Sequence, residues 1–171
     1  MKYSFAQKTY HLLTATLIVI MAFTGMAYSN KWLDASTIVY HQYAGQALLI
    51  VLVLRVATKF ARKSPVARPS GIEHLLASGV HLALYGVLIA YVTTGYVSAS
   101  GLRTPALLFP VDMGFARSDM GETLLEIHFL LKWVLMAVLG LHIAGALKHL
   151  VLNKPNDLVH MSFSSPTVKK D

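Results

Sequence analysis

Four long apolar segments constrain the fold of this chain more than any other feature of its sequence. They occupy residues 10–28, 38–57, 75–99 and 124–151. Each is long enough to cross the roughly 30 Å hydrocarbon core of a bilayer as a helix. Helices are expected because backbone groups in lipid need hydrogen-bond partners within their own segment. We therefore predict an all-α, four-helix transmembrane bundle that forms one domain over residues 1–171.

The composition supports a membrane protein. Hydrophobic residues make up 55% of the chain and charged residues only 13%, and a soluble domain of this length could not bury so much apolar surface. A cleaved signal peptide is the alternative for the first segment, which follows Lys2 and Lys8. The apolar run is longer than the usual signal core, so we favour a retained first helix.

The distribution of positive charge predicts the orientation of the bundle. Of the 15 Lys and Arg residues, 11 lie at the N-terminus, in the connection between the second and third segments, or near the C-terminus. The other two connections hold only Lys31, Arg103 and Arg117. The positive-inside rule therefore places both termini in the cytoplasm. The net charge of +7 then belongs to the inner membrane surface, and we expect no nucleic-acid partner.

Histidines recur at matching depths in the four segments. In the last one, His128, His142 and His149 are separated by 14 and 7 residues, near-multiples of the helical repeat, so they share one face. His128 and His142 would lie about 21 Å apart along the axis. This is the separation expected for two haems stacked across a bilayer with one ligand each from one helix. The chain has no cysteine, so any haem must be b-type, held by side chains alone.

The predicted depths sort the histidines into pairs. On the outer side, His41 opens the second span and His128 opens the fourth, so the two can approach one iron from opposite faces. On the inner side, His11 and His142 are the better second pair, because one iron takes two axial ligands. These four histidines are our candidate iron ligands.

Two further histidines remain near the inner surface. His81 and His149 lie about one to two turns nearer the cytoplasm than His142, and two imidazoles there suit the two carbonyl oxygens of a quinone. His74 precedes His81 by seven residues but sits at a loop boundary. An isolated histidine at an interface is usually just a hydrogen-bonded side chain. Here histidines occur at two matching depths in all four spans. Because polar side chains within spans are costly, this agreement favours functional histidines over merely hydrogen-bonded ones.

Two cations are candidates for contacts with anions. Arg55 closes the second span and could bind a propionate of the inner haem, or it could be an ordinary inner-surface anchor. Lys132 lies one turn beyond His128, on the same face. It needs an anionic partner such as an outer-haem propionate, Glu122 or Glu126, or it faces water and attracts an anion. Snorkelling to the outer interface is the simplest alternative.

Glycines lie within the spans where a flat ligand would need room. Glycine permits close approach of a porphyrin, and it equally permits close helix–helix contact. The four are Gly25, Gly45, Gly95 and Gly140.

Several short motifs occur in order along nearly the whole chain. They are Lys2-Tyr3-Ser4 with Gln7 and Tyr10-His11-Leu12, His41-x3-Gly45 with Arg55 downstream, His81-Leu82 with Tyr85, Gly140-Leu141-His142, and Ala146-Leu147-Lys148-His149. Together they resemble the bacterial cytochrome b561 family of the inner membrane. The family position next to His11 is often tryptophan, whereas this chain has Leu12.

The resemblance implies a di-haem, multi-pass protein of the bacterial inner membrane, surrounded by lipid. It implies that His41 and His128 ligate the periplasmic haem, that His11 and His142 ligate the cytoplasmic haem, and that His81 and His149 flank a ubiquinone site. Within the family the chain is similar to members that oxidise superoxide. The expected activity is that of a superoxide:ubiquinone oxidoreductase, with Lys132 drawing superoxide to the outer haem.

Two other functions are compatible with the sequence. The chain could be a membrane-anchor cytochrome b subunit that carries electrons between a periplasmic dehydrogenase or hydrogenase partner and the quinone pool. The outer connection, residues 100–121, does not visibly match the family, and it would then be a docking surface. A non-redox four-helix membrane protein is the remaining alternative.

Overall fold

Four long helices make up most of the part of the chain that the structure describes, as the sequence predicts. The computed structural model describes residues 4–61, 71–100 and 118–151. The described residues contain α1 (Phe5–Ser29), a short 3-10 turn (Ala35–Thr37), α2 (Ile38–Ala61), α3 (Ile72–Ser100) and α4 (Asp119–Val151), and they contain no strand. All four helices are long and apolar enough to cross a membrane. The all-α, four-helix prediction is confirmed.

Local sequence signals set the ends of α1. Ser4 accepts a hydrogen bond from the Gln7 amide, and the Gln7 side chain accepts one from the Ser4 amide, which is a capping box. At the other end the Asn30 side chain donates to the Met26 carbonyl at 2.8 Å. Lys31 then adopts a positive φ of 56°, a left-handed conformation that cannot continue the helix. The chain turns here towards α2.

The helices pack as two neighbouring pairs, α1 with α2 and α3 with α4, joined by contact between α2 and α3. A small apolar core fills the middle of the bundle, where Leu48, Leu52 and Leu88 are almost fully buried. Within the described residues, α4 has little or no close backbone contact with α1 or α2. On this side α4 approaches the bundle less closely than it approaches α3.

The two ends of the bundle differ in composition. Large aromatic side chains are exposed around the end that contains His41, which is typical of a membrane interface. They are Tyr28, Trp32, Tyr40, Tyr43, Phe129 and Trp133. At the opposite end, which contains His11, an ion pair of 3.1 Å joins Lys148 of α4 to Glu73 of α3. Both of its side chains are about half exposed, so it adds little stability.

Candidate functional site

The His41 end of the bundle holds the first pair of facing imidazoles. The ring centres of His41 and His128 lie 6.3 Å apart with their planes nearly perpendicular. His128 is only 8% exposed. A buried polar ring on an apolar helix is costly unless its nitrogens have partners, so the partners of each ring define what the pair can do.

A backbone carbonyl fixes one nitrogen of each ring. Nδ1 of His41 lies 3.1 Å from the Met21 oxygen, and Nδ1 of His128 lies 2.9 Å from the Tyr91 oxygen. A carbonyl can only accept, so Nδ1 must carry the proton and Nε2 presents a lone pair. This is the tautomer that a metal-binding histidine needs.

The His11 end holds a second pair of the same size. The ring centres of His11 and His142 lie 6.4 Å apart, with planes inclined at 42°. His142 follows His128 by 14 residues on α4, so the two pairs are about 21 Å apart along the axis. The predicted partners therefore face each other at both ends of the bundle, and their role as iron ligands stays a prediction.

Both separations suit a metal held between two imidazoles. Such rings hold their centres about 6 Å apart, because the metal–nitrogen bond is about 2 Å and the ring centre lies about 1 Å beyond the nitrogen. Among the described residues, no three His, Asp or Glu side chains come together to hold a bare ion. Haem iron needs only two protein ligands, since the porphyrin supplies the other four nitrogens. Each pair also joins α4 to a helix with which it has little or no close backbone contact among the described residues. The residues present therefore fit haem b.

Two of the four glycines lie directly against the rings at the His41 end. A Cβ added to Gly95 would lie 2.6 Å from Cε1 of His128, and one added to Gly25 would lie 3.1 Å from Cε1 of His41. Gly45 meets only the end of the Met21 side chain, and Gly140 has open space around it. The room beside the histidines thus depends on Gly25 and Gly95.

A 14-residue interval repeats in every helix, a feature that our sequence analysis missed. It separates His11 from Gly25, His41 from Arg55, His81 from Gly95, and His128 from His142. Fourteen residues are close to four helical turns, so both members of each interval share a face. These residues accordingly form two layers of candidate site residues, and α1 and α3 share the pattern His-Leu-x11-Thr-Gly. The repeated interval was the signal that could have separated Gly25 and Gly95 from the other two glycines named in the sequence analysis.

Arg55 belongs to the inner layer. It is half-buried and close enough to His11 and His142 for direct electrostatic interaction. Its guanidinium carbon lies 5.4 Å from the centre of the Tyr85 ring. In the part of the chain that the structure describes, it forms no ion pair with a carboxylate.

His81 lies deeper than the sequence analysis placed it. Its ring centre is 5.0 Å from that of His142, whereas we expected a separation of one to two turns. The register of α3 explains the difference, because Gly95 lies opposite His128 and His81 precedes it by the same 14 residues. The ring centres of His81 and His142 are closer than the roughly 6 Å expected for two rings on one metal. Its Nδ1 lies 2.6 Å from the Ala77 oxygen.

The structure gives fewer contacts for the other two histidines predicted at this end, His149 and His74. His149 lies on α4, and its side chain is outside the described residues. His74 has its Nε2 3.3 Å from the Ser78 hydroxyl on the same helix.

Lys132 lies at the aromatic rim of the His41 end. Its ammonium is 5.0 Å from the Trp133 ring centre and 5.9 Å from that of Phe129. It pairs with neither Glu122 nor Glu126, and with no other described carboxylate. Phe129 also lines an open cleft of about 550 Å³ together with Tyr28, Ser29, Lys31 and Leu33. Residues 101–117, with Arg103 and Arg117, lie outside the described residues.

Comparison with known proteins identifies the class of protein that this fold and these histidines define. The family profile described as prokaryotic cytochrome b561 matches residues 2–163, and the chain belongs to that family. It is therefore a bacterial membrane protein of electron transfer, from a family whose members bind haem b.

The chain is also similar to two individual proteins over most of its length. Cytochrome b561 homolog 2 of Escherichia coli (strain K12) is 27% identical over 171 residues, covering 94% of this chain and 90% of the relative. Probable superoxide oxidase CybB of Yersinia pestis is 28% identical over 173 residues, covering 94% of this chain and 95% of the relative. No solved structure matches the chain.

Proposed function

We propose that this protein is a di-haem cytochrome b that oxidises superoxide on the periplasmic side of the inner membrane and reduces ubiquinone on the cytoplasmic side. One observation carries the proposal: two pairs of imidazoles, each spaced for one iron, lie at opposite ends of the bundle. Both pairs include a histidine of α4. The positive-inside rule supports a periplasmic position for the His41 end.

In this proposal His41 and His128 hold the outer haem, and His11 and His142 hold the inner haem. When bound, the haems supply reversible one-electron transfer across the membrane. The carbonyls of Met21 and Tyr91 support the outer assignment, because they leave Nε2 of both imidazoles unprotonated.

Arg55 is proposed to bind a carboxylate of the inner haem. A half-buried guanidinium in an apolar bundle needs an anion, and no described carboxylate supplies one. Haem propionates are carboxylates, and Arg55 lies within electrostatic range of His11 and His142. Its proximity to Tyr85 supports the orientation of the guanidinium towards the interior.

Superoxide is the proposed donor at the His41 end. Loss of one electron from superoxide releases oxygen and requires no proton, so the protein needs only to attract the anion. Lys132 beside Phe129, and Lys31 in the cleft that Phe129 lines, supply positive charge at this end. Such charge raises the encounter rate of an anion. The printed name of the Yersinia pestis relative adds support.

Ubiquinone is the proposed acceptor at the His11 end. Two superoxide ions provide two electrons, and two protons from the cytoplasm complete the quinol. Histidine suits the proton transfer because its ordinary pKa lies near physiological pH. His81 supports this role, because its ring lies 5.0 Å from that of His142 and its Nδ1 donates to the Ala77 carbonyl. Nε2 then presents a lone pair that can take up a cytoplasmic proton, and the protonated ring can donate it to a quinone oxygen. His149 is proposed as the second histidine of the quinone site.

The test is the visible spectrum of the oxidised, detergent-purified protein before and after a pulse of superoxide, with and without a soluble quinone. If reduced b-type bands appear rapidly and fade when quinone is added, the result supports superoxide as the donor, haem b as the cofactor and quinone as the acceptor. Bands that appear with dithionite but not with superoxide refute superoxide as donor and favour the anchor-subunit alternative. A colourless protein refutes a cytochrome.

A further inference from the structure

Two threonines contact the outer pair of histidines. Thr24 Oγ1 lies 3.3 Å from Nδ1 of His41, and Thr94 Oγ1 lies 3.4 Å from Nδ1 of His128. Each hydroxyl donates its own proton to the carbonyl four residues earlier in its helix, at 2.8 Å in both cases. The hydroxyl oxygen is then left to accept from the imidazole, so the geometry again places the proton on Nδ1.

Each Nδ1–H therefore faces two acceptors on one helix. The Met21 carbonyl and the Thr24 hydroxyl surround Nδ1 of His41. The Tyr91 carbonyl and the Thr94 hydroxyl surround Nδ1 of His128. Two acceptors hold the ring more firmly than one, because rotation away from either is opposed by the other.

Glycine makes these carbonyls accessible. A carbonyl in an α-helix points towards the residue four positions later, so the side chain of that residue covers it. Gly25 and Gly95 occupy that position relative to Met21 and Tyr91. The imidazole of each histidine fills the space that a Cβ would take.

The side chain of Tyr91 stacks on the His128 ring and further restricts its orientation. Its ring lies 4.1 Å from the His128 ring, centre to centre, and nearly parallel to it. Tyr91 is itself 9% exposed. The plane of the His128 ring is thus set by packing as well as by hydrogen bonds.

We infer that the segments Met21-x2-Thr24-Gly25 and Tyr91-x2-Thr94-Gly95 are a duplicated positioning device for the outer haem, an inference that rests on the proposed function. Thr24 and Thr94 are its positioning residues: they orient His41 and His128, and by accepting from Nδ1–H they strengthen electron donation from Nε2 of both rings. Stronger donation would stabilise ferric over ferrous iron in a bound haem, so the two threonines would lower the reduction potential of the outer haem.

The test compares Thr94→Val, which removes the hydroxyl, with Thr94→Ser, which keeps it. Thr93→Val is the matched control, since Thr93 is the exposed neighbour on the same helix. Redox titration of the purified protein, followed in the visible spectrum, measures both haem potentials. Transfer of haem to excess apomyoglobin measures retention. For Thr94→Val we expect a higher potential for one haem only and about tenfold faster loss of that haem, with wild-type values for Thr94→Ser and Thr93→Val.

Thr24→Val provides an independent second variant and must shift the same haem, because Thr24 acts on the other ligand of the same iron. The inference is overturned if Thr94→Val and Thr24→Val bind two haems and keep the wild-type potentials and the wild-type rate of haem loss. That result would leave the proposed function intact. Shifts in different haems for the two threonines overturn it too. If Thr94→Val does not fold, the result for Thr24→Val decides. A wild-type protein without haem overturns the proposed function itself, and the inference with it.

Discussion

Replacing Gly95 by alanine is the sharpest test of the proposed outer haem site. The new Cβ would lie 2.6 Å from Cε1 and 2.9 Å from Nδ1 of His128. Ordinary contacts between such atoms begin at about 3.5 Å, so the ring must move by about 1 Å. This movement stretches the bond from Nδ1 to the Tyr91 oxygen, now 2.9 Å, beyond the range of about 3.2 Å for good N–H···O bonds.

Two estimates give the expected effect of Gly95→Ala on stability and on haem affinity. Overpacking a tight site costs about 1–3 kcal/mol, and loss of an outer-shell partner lowers metal affinity by about 10–100-fold. The helix itself gains about 0.5–1 kcal/mol when glycine becomes alanine, which offsets only part of this. We therefore expect Gly95→Ala to retain one haem firmly and to lose the other at least about tenfold faster.

The assay is haem content per chain, by the pyridine haemochrome spectrum, together with the rate of haem transfer to apomyoglobin. Gly86→Ala is the matched control, because it lies on the same helix and an added Cβ meets nothing within 4 Å. Gly25→Ala should be intermediate, since its Cβ would lie 3.1 Å from the His41 ring. If Gly95→Ala holds both haems as firmly as Gly86→Ala, the outer site is not where we place it.

Three other substitutions test the proposed function. His128→Ala should remove the outer haem alone, so the haemochrome spectrum should give one haem per chain; two haems would refute this ligand assignment. His149→Ala should keep both haems and slow quinone reduction in stopped-flow measurements, and normal quinone kinetics would argue against its place at the quinone site. Lys132→Glu should slow reduction by superoxide and remove the dependence of that rate on ionic strength, whereas an unchanged rate would make Lys132 a structural residue.

The pairing of the histidines could be predicted from depth because a helix rises by a constant amount per residue. His41 and His128 open their spans on one side, and 14 residues carry α4 from His128 to His142 on the same face. The structure brings the predicted rings together at both ends. The same argument misplaced His81, because its depth depends on how far α3 slides along α4, and an apolar segment does not mark that register.

The surroundings of Lys132 were not predictable from one helix. Spacing along α4 offered Glu122 and Glu126 as partners, whereas the ammonium lies beside Trp133 and Phe129. At a membrane interface an aromatic face and water can replace a carboxylate for lysine. The choice between these surroundings is made by side-chain conformation, which periodicity does not determine.

The sequence by itself determined the four helices, since lipid leaves the backbone no alternative, and it determined the two histidine layers, since helical rise and repeat are fixed. Only the tertiary structure decided which groups surround each imidazole. The carbonyls of Met21 and Tyr91, the hydroxyls of Thr24 and Thr94 and the space at Gly95 are ordinary features of a helix when read along the chain. They become parts of the candidate site because α1 turns its groups towards His41 of α2, and α3 turns its groups towards His128 of α4. The rotation of each helix about its own axis is set by packing against its neighbours, and the pattern within a single helix does not determine it.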